Sequence, residues 1–227
     1  MITEPIKSSS TGEFVSRLGT IAAAALLLAL AVPTGLVALS QGAGLMPLPF
    51  NLHVVMERLP GIFQIHMLAS GAALLLMPLA LATRRRRTWH RPIGRAAAVL
   101  VIAGALTSFP VAYESASSLV ARLGFAAQGT VWLGLLLAGV RAIRRKERAR
   151  HATLMLAMTA VASGAIWVRL TTAVATSYDL PFVPIYACAT WLGWMLPLAV
   201  VLLVARRRAG PPAPRDPVAS RRPALAA

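Results

Sequence analysis

An all-α membrane protein, six transmembrane helices in one bundle with both termini cytoplasmic, is the fold class this chain predicts. Three observations predict it. The 227 residues are 57% hydrophobic and 13% charged, against about a quarter charged in soluble domains. Six apolar stretches approach or exceed the ~20 residues that a helix rising 1.5 Å per residue needs to cross a bilayer. Finally, 20 of the 23 Lys and Arg residues fall in four patches separated by pairs of apolar segments. All four patches can therefore lie on one side of a membrane, the arrangement that the positive-inside bias produces.

The spans are expected near 18–40, 62–83, 93–113, 119–140, 152–174 and 184–205. The first follows Lys7 and Arg17 and is longer than the ~7–15-residue core of a signal peptide, so a retained span is expected. The next patch (Arg84, Arg85, Arg86, Arg87, Arg91 and Arg95) separates spans two and three. Arg141, Arg144, Arg145, Lys146, Arg148 and Arg150 separate spans four and five, and Arg206, Arg207, Arg208, Arg215, Arg221 and Arg222 follow span six. The outer loops, about 41–61, 114–118 and 175–183, contain Glu57, Glu114 and Asp179 but one base, Arg58. Pro60 sits just ahead of span two and Pro184 opens span six, positions where a missing N–H costs least. Pro33, Pro78, Pro110 and Pro197 fall within or near the ends of spans, where neighbours can satisfy the freed carbonyls. The organisation expected is a cytoplasmic segment over 1–17, the six-helix domain over 18–205, and a disordered basic Pro/Ala-rich cytoplasmic tail over 206–227.

A net charge of +16 would point to a polyanion partner if it formed one continuous face. Here it is divided among short loops, without the interleaved aromatics of a strand-binding platform. No nucleic-acid partner is expected, and the partner of the basic patches is anionic lipid at the cytoplasmic face. The single cysteine, Cys188, excludes an internal disulfide and a cysteine metal cluster. Nucleophile elbow, phosphate loop and zinc-protease motifs are absent, so no catalytic residues and no metal ligands are assigned.

Polar residues at membrane depth are the candidates for function, because each is costly to keep there. His66 lies about one turn inside span two, Gln128 near the middle of span four, and Arg169 within span five. Tyr113 and Glu114 stand at the outer interface with Arg122, Tyr178, Asp179 and Tyr186. Converging, His66, Arg169, Gln128, Tyr113 and Glu114 would line an outward-facing pocket for a carboxylate or phosphate, with Arg169 as fixed cation and His66 as titratable group. Two readings stay open: such a pocket, or a snorkelling Arg169, a His66 bonded to a neighbouring helix and an aromatic belt. Pairing of Arg169 with Glu57, Glu114 or Asp179 would also account for it. A different class places haem b between helices, with His66, His90 and His151 as candidate ligands of a transmembrane electron-transfer protein. A structural or assembly role needs none of these residues individually.

An ordered set of marks resembles a family of bacterial integral membrane proteins known as domain of unknown function 2306, over about 62–205. His66 begins an apolar helix, and His90-Arg91-Pro92-Ile93-Gly94-Arg95 resembles the family's His-Arg-x-x-Gly-Arg turn. His151 precedes Leu154-Met155, Arg169-Leu170 follows, and Trp191 and Trp194 resemble the paired tryptophans of the last helix. The chain departs from the pattern at or near Ala80, Pro197 and Leu202, where polar residues are expected. The resemblance implies a multi-pass protein of a bacterial cell membrane and implies no activity.

Overall fold

The computed structural model describes the backbone of residues 9–209 and the side chains of residues 25–208. Residues 1–8 and most of the expected basic tail, 210–227, lie outside the described residues. The elements are α1 (Ser9–Gly42), α2 (Phe50–Arg58), α3 (Pro60–Ala82), α4 (Arg87–Glu114), α5 (Leu119–Arg144), α6 (Arg148–Ala162), α7 (Gly164–Ser177) and α8 (Phe182–Ala209). No strand occurs among the described residues. Six stretches are long and apolar enough to cross a membrane: Ala25–Gly42, Pro60–Ala82, Arg87–Glu114, Leu119–Arg144, Arg148–Ser177 and Phe182–Arg208.

Three differences from the expected boundaries have physical reasons. The segment over 41–61, expected as a loop, contains a short helix, α2, which packs on α3 and α4 and buries Val55. Pro47 and Pro49 mark the segment as loop in sequence, but Pro49 stands immediately before α2, where its missing N–H breaks no helical bond. The third span starts at Arg87, and its first turn projects basic side chains beyond the apolar stretch. The sixth helix continues through Arg206, Arg207 and Arg208, residues expected in the tail.

Adjacent helices pack in sequence order through α3, α4, α5 and α6, while α1 lies on α3 and α8 lies on α5, α6 and α7. Successive spans alternate in direction through short turns, Thr83–Arg86 and Arg145–Glu147 among them. These two turns and the Arg206–Arg208 end of α8 therefore share one end of the bundle. Close approach of α1 and α3 needs small residues, as helix packing in lipid generally does. A Cβ on Gly35 would fall 2.8 Å from Leu75, and one on Gly71 would fall 3.0 Å from the Gly35 carbonyl. The core combines Leu74, Met77, Val101, Trp132, Leu136, Met158, Val161, Ile166 and Trp194. Large apolar side chains such as Leu36, Val99, Leu137 and Val200 point outward, as a hydrocarbon solvent permits and water does not.

The fifth span is not continuous. Ser163 separates α6 from α7, and the hydrogen-bond ladder tightens there, with Ile166 N donating to Ser163 O at 2.9 Å. Below the break α6 packs on α5; above it α7 packs on α8 and α1 and leaves α5. The departure of α7 opens space between it and α3, α4 and α5.

Candidate functional site

Two side chains satisfy the carbonyls freed at the break, as broken helices in membranes require. Ser163 Oγ donates to Ala160 O at 2.7 Å, and Gln128 Nε2 donates across from α5 to Val161 O at 2.9 Å. Gly164 leaves room for this: a Cβ there would fall 2.6 Å from Gln128 Nε2 and 3.0 Å from Trp194 Cβ. Gln128 therefore supports the helix break as well as holding a place on the cavity wall.

The space beside α7 is a cavity of about 720 Å³, lined from α1, α2, α3, α4, α5, α7 and α8 and bordered by Ala162 at the break. His66, Gln128 and Arg169, three of the five residues expected to converge, line it together. At 1.5 Å per residue they lie about 9, 14 and 12 Å from the Pro60, Leu119 and Ser177 ends of α3, α5 and α7, at comparable depth. Tyr186 closes part of the wall and is stacked on Phe182 at 5.3 Å and edge-on to Phe125 at 5.9 Å.

Tyr113 and Glu114 do not line the cavity, which corrects their expected place in the pocket. The Tyr113 ring is 70% exposed and lies under the Arg122 guanidinium, 5.1 Å away. Glu114 pairs with Arg58 at 3.1 Å. The reason is local: both sit in the last turn of α4, where the helix leaves the bundle and its side chains face α2, α5 and the surroundings.

The three bases outside the inner patches now separate. Arg58 is paired with Glu114, and Arg122 donates through Nε to Ala112 O at 3.1 Å besides covering Tyr113. Arg169 donates to Ala165 O in its own helix at 3.1 Å and forms no ion pair among the described residues. Among the described residues it is also the only side chain with a permanent charge on the cavity wall. An arginine in mid-membrane costs about 2.5–3.5 kcal/mol on insertion scales, so its retention without a protein anion requires compensation from elsewhere.

His66 has a definite hydrogen-bond polarity. Its Nδ1 lies 3.0 Å from Gly104 O and 3.3 Å from Thr107 Oγ1. The carbonyl can only accept, and the Thr107 hydroxyl is itself 2.6 Å from the Ala103 carbonyl. Nδ1 therefore carries the hydrogen, and in the neutral ring Nε2 keeps its lone pair. His66 both joins α3 to α4 and leaves an acceptor.

Three residues of the cavity wall carry a polar atom without a protein partner, each buried against its neighbours and shut off from the cavity space: Gln41 Oε1, Ser70 Oγ and Trp132 Nε1. None was singled out from the sequence. Spacing carried a signal for two of them: Ser70 and Trp132 each stand four residues after a candidate, His66 and Gln128, hence on the same helix face.

His90 and His151 serve elsewhere. His90 Nδ1 donates to Ala80 O and His151 Nδ1 to Gly139 O, each at 2.9 Å, tying the start of α4 to α3 and the start of α6 to α5. His66 contacts α4 at Gly104, 14 residues or about 21 Å along the helix from His90, so these two imidazoles cannot share one haem iron. The helices of His90 and His151 do not pack on each other. Among the described residues no three His, Cys, Asp or Glu side chains gather as a metal site.

Six apolar spans enclosing, in one half of the bundle, a largely apolar cavity with one arginine on its wall define a multi-pass membrane protein. The chain belongs to the family described as "Predicted membrane protein (DUF2306)", whose model matches residues 63–205. No curated protein and no solved structure matches it. The residues that carried the resemblance fall into two groups. His90, His151 and Trp191 join helices, Trp191 through Nε1 to Val120 O at 3.0 Å. His66 and Arg169 line the cavity.

Proposed function

We propose that this protein binds, and passes through the outer half of a bacterial cytoplasmic membrane, a small anionic ligand held between Arg169 and His66. One observation carries the reading: Arg169 is the single permanent charge on an otherwise uncharged cavity and has no carboxylate partner among the described residues. A guanidinium fork suits a carboxylate or phosphate oxygen pair. His66 Nε2, on the neutral ring, accepts a hydrogen from the ligand or from a water beside it. Gln128 holds the helix break that makes room for the ligand. Both termini are cytoplasmic in this reading, with the arginine-rich turns on anionic lipid and the cavity opening outward.

Isothermal titration of the detergent-purified protein with sodium acetate, sodium phosphate and sodium 3-phenylpropionate tests it. Saturable binding of at least one anion is expected, weakened about tenfold or more by Arg169→Gln. Binding that is indifferent to Arg169→Gln would sink the proposal, as would no binding by any of the three.

A further inference from the structure

We infer that the ligand class is a small amphipathic monocarboxylate, one negative charge on an apolar body. This rests on the anion-binding reading and adds the identity of the anion. The first support is a count of charge. With Arg169 as the sole permanent charge on the wall, a monoanion leaves the cavity neutral. A dianion leaves one charge uncompensated where water is scarce and such charges are heavily penalised. The two other bases outside the basic patches are already engaged, Arg58 by Glu114 and Arg122 by Ala112 O and the Tyr113 ring.

The second support is the wall. Leu74, Phe125, Trp132, Phe182 and Tyr186 present apolar and aromatic surface around the single cation. An ion as small and hydrated as acetate or phosphate would leave that surface uncovered; an acid with a ring or short chain covers it. A cavity of about 720 Å³ falls within the ~300–1,000 Å³ typical of sites for drug-sized molecules. A whole two-chain phospholipid is far larger than such ligands.

The third support is His66 Nε2, which keeps its lone pair on a residue of the cavity wall and admits a hydroxyl on the apolar body.

The test uses the full chain in phosphatidylcholine nanodiscs and measures equilibrium binding of radiolabelled 3-phenylpropionate. Saturable binding is expected, with acetate, phosphate and the uncharged 3-phenylpropan-1-ol each competing at least about tenfold less well. Arg169→Gln should lose about tenfold or more in affinity, and Arg169→Lys should keep part of it, retaining charge without the fork. If Arg169→Gln does not fold, the alcohol comparison on the wild-type protein still isolates the charge. Phosphate competing as well as 3-phenylpropionate overturns the monocarboxylate class and leaves the anion reading standing. Abolition of binding in phosphatidylglycerol nanodiscs assigns the site to a lipid headgroup and also overturns it. Absence of binding by every anion overturns both readings.

Discussion

Gly164 shows how one residue can determine a site without touching its ligand. The missing side chain lets Gln128 and Trp194 close on the helix break, where Gln128 satisfies Val161 O. Gly164→Ala puts a methyl group 2.6 Å from Gln128 Nε2 and 3.0 Å from Trp194 Cβ, and one of them must move. The expected loss is about 1–3 kcal/mol, typical of overpacking, read as a lower melting temperature in detergent. A melting temperature equal to the wild type would show that the break tolerates a side chain. At this scale the sequence was partly legible. Polar residues in apolar spans stand out because lipid penalises them, and His66, Gln128 and Arg169 were visible for that reason. Tyr113 and Glu114 lie at the interface, where polar groups are cheap, so nothing in their composition distinguished a cavity wall from the outside of a helix.

At the scale of elements, α2 forms part of the cavity wall. Asn51, Leu52 and Val55 line it from above, and the Arg58–Glu114 pair at 3.1 Å fastens the end of α2 to the end of α4. An exposed pair of this kind contributes about 1 kcal/mol or less to stability. Arg58→Ala is therefore expected to shift melting by no more than about 4 °C. It should speed both entry and exit of 3-phenylpropionate by up to about fivefold, because the latch lies outside the binding wall. Stopped-flow tryptophan fluorescence measures both rates, and unchanged rates would show that α2 is not the gate. The broken fifth span was invisible in sequence. The run from Ala152 to Val168 carries no charge and no proline, and an Ala-Ser-Gly-Ala step is as common in packed helices as at breaks. What breaks it is the partner set: Gln128 from α5 offers a donor to a carbonyl that a continuous helix would have occupied.

For the molecule as a whole, the basic turns Thr83–Arg86 and Arg145–Glu147 and the Arg206–Arg208 helix end lie together, opposite the cavity. In the proposed reading the positive-inside bias puts that end in the cytoplasm. In a Cys188→Ser background, Ala116→Cys should react with an impermeant maleimide in intact cells, and Arg85→Cys only after lysis. The opposite pattern would reverse the orientation and put the cavity on the cytoplasmic side. By itself the sequence determined the class, the number of spans and the grouping of charge, since each follows from the cost of moving a residue type between water and hydrocarbon. Which polar residues meet was decided only by tertiary structure. Rotation of helices about their axes, the break at Ser163 and the pairing of Arg58 with Glu114 arise from packing between segments distant in sequence. Partition energies, being local, do not encode that packing.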